Sequence, residues 1–295
     1  MNGFLCVLKP PGMTSSDVVV RVRWKLKQMG YKVKVGHAGT LDPEASGVLP
    51  LMVGKASRLF DYLVEKEKTY VAQLKPGYAT DTQDAHGTII FGSGEGVTRA
   101  QLETALPQFI GEIAQIPPMY SALKRDGQKL CDLAREGITI DVKPRPTQVH
   151  AIDVLHELSD GSFMIQICCG RGTYIRTLCH DIGAALGTGA HMGLLLRTQT
   201  GMFTLDDAHT VEEIDEAEDL SRLMVCMDRP LSHMPAVEVK PHAERFVRNG
   251  NVLKARELNG DVPQDVPVRL YLNGRFAGIG RMHAGELKFD AMLLE

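Results

Sequence analysis

One run near the N-terminus combines turn-forming residues with side chains that can do chemistry. Residues 36–50 read GHAGTLDPEASGVLP, with three glycines and two prolines. Such a run forbids a continuous helix or strand and predicts a shaped loop, where reactive side chains are usually placed. Asp42 precedes Pro43, which favours an extended backbone and lets the carboxylate project from the loop. The dipeptide alone fits an Asx turn as well as a catalytic carboxylate.

The composition narrows the class of protein. The 295 residues are 44% hydrophobic, as in ordinary globular proteins, and no apolar run reaches membrane-spanning length. The apolar N-terminal stretch is too short for a signal peptide and has no basic leader. The six cysteines contain no C-x-x-C pair, so neither a zinc site nor a disulfide framework is expected. We expect a cytoplasmic protein without a membrane segment.

The net charge of −3 hides an uneven distribution of charge. An early basic run contains no acid, and a later block is acidic. A local basic surface can bind phosphate although the total is negative, because screening confines each charge to its neighbourhood. A solvated helix face is the alternative interpretation of the basic run. The basic residues are Arg21, Arg23, Lys25, Lys27, Lys32 and Lys34, and the acidic ones are Asp206, Asp207, Glu212, Glu213, Asp215, Glu216, Glu218 and Asp219.

Helices and strands alternate in the pattern of apolar residues, which predicts an α+β fold with a mixed sheet. Residues 69–74 and 163–169 are typical of strands. A helix capped by Ser15 or Ser16 is predicted to end at Gly30. The other predicted N-terminal caps are Thr98 with Gln101, Thr173, and Thr210 with Glu213.

The pattern of predicted secondary structure changes near residues 228–235. Beyond that point it has short strands and turns, and Asn273-Gly274 between two apolar runs is a strong hairpin signal. We therefore expect two domains, at residues 1–232 and 235–295.

Several segments together carry a family resemblance. Residues 36–50 match every fixed position of the TruB signature G-H-x-G-T-L-D-P-x-A-x-G-x-L-P. The chain therefore resembles the TruB family of tRNA pseudouridine synthases. The other matching segments follow in the family's order: KPPGMTS at 9–15, KTY at 68–70, TDTQD at 80–84 with Gly87, PPMYSALK at 117–124 and GTYIRT at 172–177.

The resemblance implies a reaction and its residues. Isomerising uridine to pseudouridine breaks an N-glycosidic bond and rejoins the base through carbon, so it needs a carboxylate but neither a cofactor nor a metal. Asp42 corresponds to the family's essential aspartate. Whether it attacks the ribose C1′, attacks the uracil ring or removes a C2′ proton is open. By resemblance the substrate-binding residues are His37 in the space of the flipped base, Tyr70 stacked on uracil, Tyr174, Arg176 paired with Asp42, and Leu195 as an apolar wall.

The resemblance also predicts how RNA is held. An insertion at about residues 116–145 is expected to fold over the T-loop of tRNA. The C-terminal domain is expected to be a PUA-like RNA-binding domain, with a stabilising β-module as the alternative. The expected RNA-binding residues are Lys9, Tyr120, Lys124 and Arg135.

The predicted function is isomerisation of uridine 55 in the T-stem-loop of tRNA by a monomeric enzyme that needs no cofactor, metal or protein partner. One alternative is the catalytic subunit of a guide-RNA-dependent pseudouridine synthase. Another is a tRNA-folding chaperone in which catalysis is incidental.

Overall fold

Two β-sheets with helices on their surfaces organise the chain. The fold is taken from a computed structural model that describes residues 1–64, 67–121, 123–125, 127–138 and 140–294. The strands are β1 Gly3–Lys9, β2 Val35–His37, β3 Ser46–Val53, β4 Lys68–Pro76, β5 Ala79–Thr80, β6 Ile89–Phe91, β7 Gly111–Gln115, β8 Lys124–Arg125, β9 Gln128–Lys129, β10 Arg145–Glu157, β11 Phe163–Cys169, β12 Ala190–Thr200, β13 Phe203–Thr204, β14 Met224–Val225, β15 Ala236–Val239, β16 Leu253–Lys254, β17 Pro267–Leu272, β18 Arg275–His283 and β19 Glu286–Met292.

Helices are short except for two. The α-helices are α1 Ser15–Gln28, α2 Phe60–Val64, α3 Arg99–Ala105, α4 Leu130–Arg135, α5 Ile175–Ala185, α6 Val211–Glu216 and α7 Glu244–Arg248. The 3₁₀ helices span Gly54–Leu59, Leu106–Phe109, Leu205–Asp207, Leu220–Leu223, Arg229–Leu231, Pro241–Ala243 and Ala255–Glu257.

The larger sheet is mixed and forms the frame of the molecule. Its strand order is β14-β1-β3-β12-β4-β11-β10-β7, with β2 paired to β3 and β13 to β12. Strands β3 and β12 run parallel, whereas β4 is antiparallel to β12 and to β11. Burial alternates along β4 and β11, because successive side chains of a strand point to opposite faces. The predicted strands at 69–74 and 163–169 are confirmed.

Helix α1 begins one residue earlier than its predicted cap. Thr14 caps the helix in a reciprocal capping box with Asp17, so the prediction of Ser15 or Ser16 as the cap is wrong. Ser15 is buried and is bonded to Leu41 instead. Gly30 ends the helix as predicted, with a φ of 86° that suits glycine. The capping boxes at Thr98 and Thr210 are confirmed.

The N-terminus of α5 also differs from the prediction. Tyr174 is its N-cap residue and makes no side-chain cap bond. Thr173 is not the cap, because its hydroxyl bonds the Thr147 hydroxyl and the Gly170 carbonyl. Gln115 from β7 fixes this end of the helix instead. Its side-chain oxygen accepts from the Tyr174 N–H at 2.9 Å, and its amide donates to the Tyr174 carbonyl at 3.2 Å.

The smaller sheet has the order β15-β17-β18-β19-β16. Asn273 and Gly274 form its predicted hairpin turn with φ of 52° and 71°, as a type I′ turn requires. The α+β fold with a mixed sheet and a β-rich C-terminal part is confirmed. Within the described residues, no helix is long and apolar enough to cross a membrane.

Candidate active site

Two buried cations hold the loop of residues 38–48 from opposite sides. Lys9, fully buried at the end of β1, donates to the carbonyls of Pro43 at 2.9 Å and Ala45 at 2.6 Å. Arg197 on β12 donates to the carbonyls of Val48 at 2.8 Å and Gly39 at 3.2 Å. Buried carbonyls need donors, and charged donors bond them strongly. The loop is therefore fixed by side chains that are remote in sequence.

Close backbone packing adds to this restraint. At Gly47, which pairs with Arg197 between β3 and β12, a Cβ atom would lie 2.1 Å from the Arg197 carbonyl oxygen. Its φ of 117° is also one that glycine tolerates. Ser15 Oγ both accepts from the Leu41 N–H at 2.9 Å and donates to the Leu41 carbonyl at 3.1 Å. The residue before Asp42 is thus fixed to the first turn of α1.

The expected ion pair between Asp42 and Arg176 is present. Arg176 Nε lies 2.9 Å from Asp42 Oδ2. The Arg176 side chain is 7% exposed and that of Asp42 is 42% exposed, so the acid can reach a substrate while its partner is enclosed. Such a guanidinium fixes the direction of a carboxylate.

Arg176 also joins two further segments of the chain. Its Nη2 donates to the Tyr120 carbonyl at 2.9 Å and its Nη1 to the Thr82 carbonyl at 3.3 Å. The carboxylate of Asp84 lies 3.6 Å from Nη1 and also accepts from the Thr82 hydroxyl at 2.7 Å. The buried Arg176 side chain therefore contacts three segments: the loop of Asp42, the loop of Asp84 and the start of the predicted insertion.

Tyr70 and Leu195 lie on the sheet next to this loop. Tyr70 on β4 pairs directly with Arg197 on β12, and Leu195 is two residues from Arg197 on the same strand. Alternation along β12 puts Leu195 on the Arg197 face. Both residues are nearly buried, at 8% and 9% exposed. Burial raises the pKa of the Tyr70 hydroxyl, so the phenol remains protonated at neutral pH.

His37 ends β2 immediately before the loop and is half-buried. Burial, and secondly the Arg197 charge, lower the pKa of its imidazole, so the ring is neutral at pH 7. Its Nδ1 is buried and has no hydrogen-bond partner among the described residues. Burying an unpaired polar atom costs about 1–3 kcal/mol, so such atoms are uncommon in folded proteins.

The expected RNA-binding residues differ in where the structure places their side chains. The prediction that Lys9 contacts RNA is wrong, because its ammonium group is fully buried and bonds three backbone carbonyls, those of Pro10, Pro43 and Ala45. Tyr120 is 38% exposed. The side chains of Lys124 and Arg135 lie outside the part of the chain that the structure describes. Tyr174 is half-buried at the start of α5, and burial raises the pKa of its hydroxyl.

Sequence reasoning missed Arg197 and Asp84. A signal for Arg197 existed, since it occupies the buried phase of a strand, two residues after Leu195, where a cation needs partners. Asp84 belongs to the TDTQD segment, but only the fold places it beside Arg176.

Metal-ligating clusters and cavities are two other features that could mark a ligand position. In the described ranges, no group of three or more His, Cys, Asp or Glu side chains is arranged to hold a metal ion. A cavity of about 280 Å³ lies next to the loop's flanks, lined by Ala38, Pro50, Met202, Phe203 and Pro230 among others, and Asp42 does not line it.

Comparison with known families gives two adjoining matches. Residues 24–175 match "TruB family pseudouridylate synthase (N terminal domain)". Residues 176–232 match "tRNA pseudouridylate synthase B C-terminal domain". Together the two matches contain Asp42, Tyr70, Arg176 and Arg197.

Similar proteins are found along the whole chain. A protein named tRNA pseudouridine synthase B from Alkaliphilus oremlandii (strain OhILAs) is 42% identical over 282 residues, covering 95% of this chain and 93% of the relative. A protein of the same name from Clostridium perfringens (strain 13 / Type A) is 38% identical over 298 residues and covers all of both chains.

Solved structures share the fold. A chain of an H/ACA RNP bound to a substrate RNA containing 2′-deoxyuridine has a TM-score of 0.72 at 25% identity, covering 99% of this chain and 85% of that one. A chain of a Cbf5-Nop10-Gar1 complex has a TM-score of 0.70 at 29% identity, with coverage of 99% and 84%.

Proposed function

The chain belongs to the TruB family of pseudouridylate synthases, and from this we propose that it isomerises uridine 55 in the T-stem-loop of tRNA to pseudouridine. The observation that carries the proposal is the half-exposed Asp42 carboxylate paired with an enclosed Arg176 on a loop fixed by two buried cations. The names of relatives about 40% identical over nearly their full length support the substrate.

The reaction needs little beyond a positioned carboxylate. The N1–C1′ bond breaks, a C5–C1′ bond forms, the C5 proton leaves and N1 gains a proton, so atoms and electrons balance without an oxidant, cofactor or metal. Arg176 binds Asp42 Oδ2, and Oδ1 has no hydrogen-bond partner among the described residues. We assign Oδ1 to the substrate, because a carboxylate anchored through one oxygen presents the other in a fixed direction.

The target uridine must leave its stack to reach Asp42. Extrusion costs a few kcal/mol, which contacts with the protein have to offset. We assign this to Tyr70 and Leu195 on either side of the flipped base, with Tyr174 beside them, and to His37 in the vacated space. A neutral imidazole suits stacking in the space that the base leaves.

Two further parts of the chain are proposed to hold the RNA. The insertion at about 116–145 leaves the sheet between the adjacent strands β7 and β10, and its Tyr120 carbonyl bonds Arg176. RNA bound by Tyr120, Lys124 and Arg135 would then act directly on the position of Arg176. We divide the chain into a catalytic domain at 1–232 and a PUA-like RNA-binding domain at 235–295.

We further propose that the enzyme works alone, as a monomer in the cytoplasm, where tRNA is modified. The guide-dependent alternative is suggested by the similarity to chains of the H/ACA RNP and the Cbf5-Nop10-Gar1 complex. Identity is higher with the bacterial tRNA pseudouridine synthases B than with these chains, which favours the stand-alone enzyme.

Tritium release from a tRNA transcript labelled at uridine C5 tests the proposal. Purified wild-type protein without other factors should release tritium, and Asp42→Asn should bind the RNA without release. Glu44→Gln is the matched control, because Glu44 is an exposed acid of the same loop. Release by Asp42→Asn would refute Asp42 as the catalyst. Binding without release by wild type would favour the guide-dependent or chaperone alternatives.

A further inference from the structure

The outer face of α1 carries exposed aromatic and basic side chains. Val18, Val22 and Leu26 form the buried face of the helix. Trp24, the single tryptophan of the chain, lies on the opposite face and is 57% exposed. A large aromatic side chain left in solvent beside charged residues often marks an interaction surface.

The C-terminal turn of α1 presents a second aromatic residue. The Tyr31 N–H bonds the Leu26 carbonyl at 2.9 Å and the Gly30 N–H bonds that of Lys27 at 3.1 Å, which is a Schellman motif. The turn fixes the backbone of Tyr31, whose side chain is 39% exposed.

The basic residues of this helix divide into two groups. Arg21 pairs with Asp215 on α6, and Lys25 donates to the Asp215 carbonyl, so the acidic helix engages one side of α1. Arg23 and Lys27 make no ion pair with any described residue, and no acidic residue occurs between Asp17 and Asp42. Beyond Asp17, the exposed side of α1 therefore carries basic and no acidic side chains. The α1 strip is defined here as Val20, Arg23, Trp24, Lys27, Tyr31 and Lys32.

The helix that carries the strip begins beside the loop of Asp42. Ser15, the first residue of α1, is bonded to Leu41, which precedes Asp42. At a rise of about 1.5 Å per residue, Trp24 lies about 14 Å along the helix from Ser15. With about 3.4 Å per nucleotide along a duplex strand, this is a span of about four nucleotides.

We propose that the α1 strip binds the substrate RNA outside the isomerised nucleotide, with Trp24 stacked on an unpaired base and Arg23 and Lys27 on flanking phosphates. The inference rests on the proposed RNA substrate and adds a contact surface to it. A polyanion fits a strip of cations without an acid, and stacking suits an unpaired base because every base offers a π face. A protein partner would have to supply an acidic, apolar surface instead.

The single tryptophan makes a direct test possible in the full-length protein. An unmodified tRNA transcript should quench Trp24 emission and protect it from acrylamide. Saturating transcript that leaves both unchanged, with a wild-type enzyme that releases tritium from the same RNA, would overturn the inference and leave the proposed function intact. A wild type that neither binds nor converts the transcript would refute the proposed function itself.

Variants separate stacking from charge. Trp24→Leu should weaken tRNA binding about five- to 150-fold, and Trp24→Phe should restore most of the lost affinity. Arg23→Gln with Lys27→Gln should lower the slope of log affinity against log salt by about 1.5, as expected for two lost phosphate contacts. Arg222→Gln, an exposed arginine beside the acidic block, is the control and should leave that slope unchanged. Equal affinity of Trp24→Leu and wild type would contradict the inference.

Discussion

The Arg176 side chain connects the separate segments of this site. It contacts Asp42, Asp84 and the carbonyls of Thr82 and Tyr120, which belong to three separate segments. Five donors in a rigid plane can serve such a set, whereas a lysine ammonium is a point charge on a flexible stem.

Arg176→Lys should therefore reduce catalysis more than binding. We expect turnover at saturating tRNA to fall about 100-fold, because a misplacement of the carboxylate by about 1 Å costs that much. RNA affinity, measured by filter binding, should remain within a few-fold. Asp84→Asn should reduce turnover less, by about tenfold, because Asp42 and both carbonyls still hold the Arg176 guanidinium. Wild-type turnover by Arg176→Lys would show that the fork geometry is dispensable.

Tyr70 should act through its hydroxyl as well as its ring. Tyr70→Phe keeps the stacking surface and removes the group that we expect to assist departure of the C5 proton. The predicted loss of turnover is about 100-fold, the lower range for acid–base assistance, with unchanged RNA affinity. Single-turnover tritium release measures the step directly. An unimpaired Tyr70→Phe would restrict the residue to stacking.

The lowered pKa of Lys9 predicts that the stability of the protein depends on pH. Burial lowers the pKa of Lys9 from 10.5 to about 8. Between these pH values the unfolded chain binds more protons than the folded one, so this group makes the free energy of unfolding rise with pH. Relative to Lys9→Met, the wild type should gain about 3 kcal/mol from pH 8 to pH 10.5. Urea unfolding of both proteins at several pH values measures this, and parallel profiles would contradict it.

At the scale of elements, side chains of two strands hold the loop of residues 38–48, which carries Asp42. Lys9 at the end of β1 and Arg197 on β12 bind opposite parts of the loop, and Gly47 lets β3 and β12 approach. The loop thus has little freedom although its sequence consists of turn formers. We infer that its rigidity comes from packing, because the restraining donors are up to 158 residues away in the sequence.

Gly47→Ala tests this close approach. The added Cβ meets the Arg197 carbonyl oxygen and forces the two strands apart, so we expect a loss of about 4 kcal/mol in unfolding free energy, from overpacking and backbone strain together. Gly161→Ala is the matched control: its φ is also positive, at 77°, but a Cβ there meets nothing within 4 Å. It should cost about 1–2 kcal/mol, the backbone strain alone. Equal losses in thermal or urea unfolding would refute the packing argument.

The two sheets share one part of the hydrophobic core at the scale of the whole molecule. Ile279, Ala291 and Leu293 from the C-terminal part pack in one cluster with Phe4 and Leu231. Hydrogen bonds cross the same boundary, from Arg58 to the Met292 carbonyl at 2.6 Å and from Tyr62 to Asp290 at 3.2 Å. We therefore expect the C-terminal part to stabilise the strands that carry the active site.

Leu293→Ala should destabilise the catalytic sheet from a distance. Removing this buried side chain costs about 2–5 kcal/mol, and the loss should appear as faster hydrogen exchange in β1 and β3, because these strands border the shared cluster. Leu158→Ala, in an exposed hairpin turn, should leave that exchange unchanged. If the faster exchange in Leu293→Ala were confined to β18 and β19, the two parts would unfold independently.

The sequence by itself determined the local structure and the identity of the reactive loop. Apolar content predicted the strands at 69–74 and 163–169, Gly30 marked the end of α1, and the turn-rich motif marked Asp42 and the family. These features depend on neighbours within a few residues. Only the tertiary structure decided that Lys9 is buried, that Arg197 clamps the loop and that Asp84 reaches Arg176. A buried cation or carbonyl must find its partner wherever the fold places one, and hydrophobic periodicity carries no information about that partner.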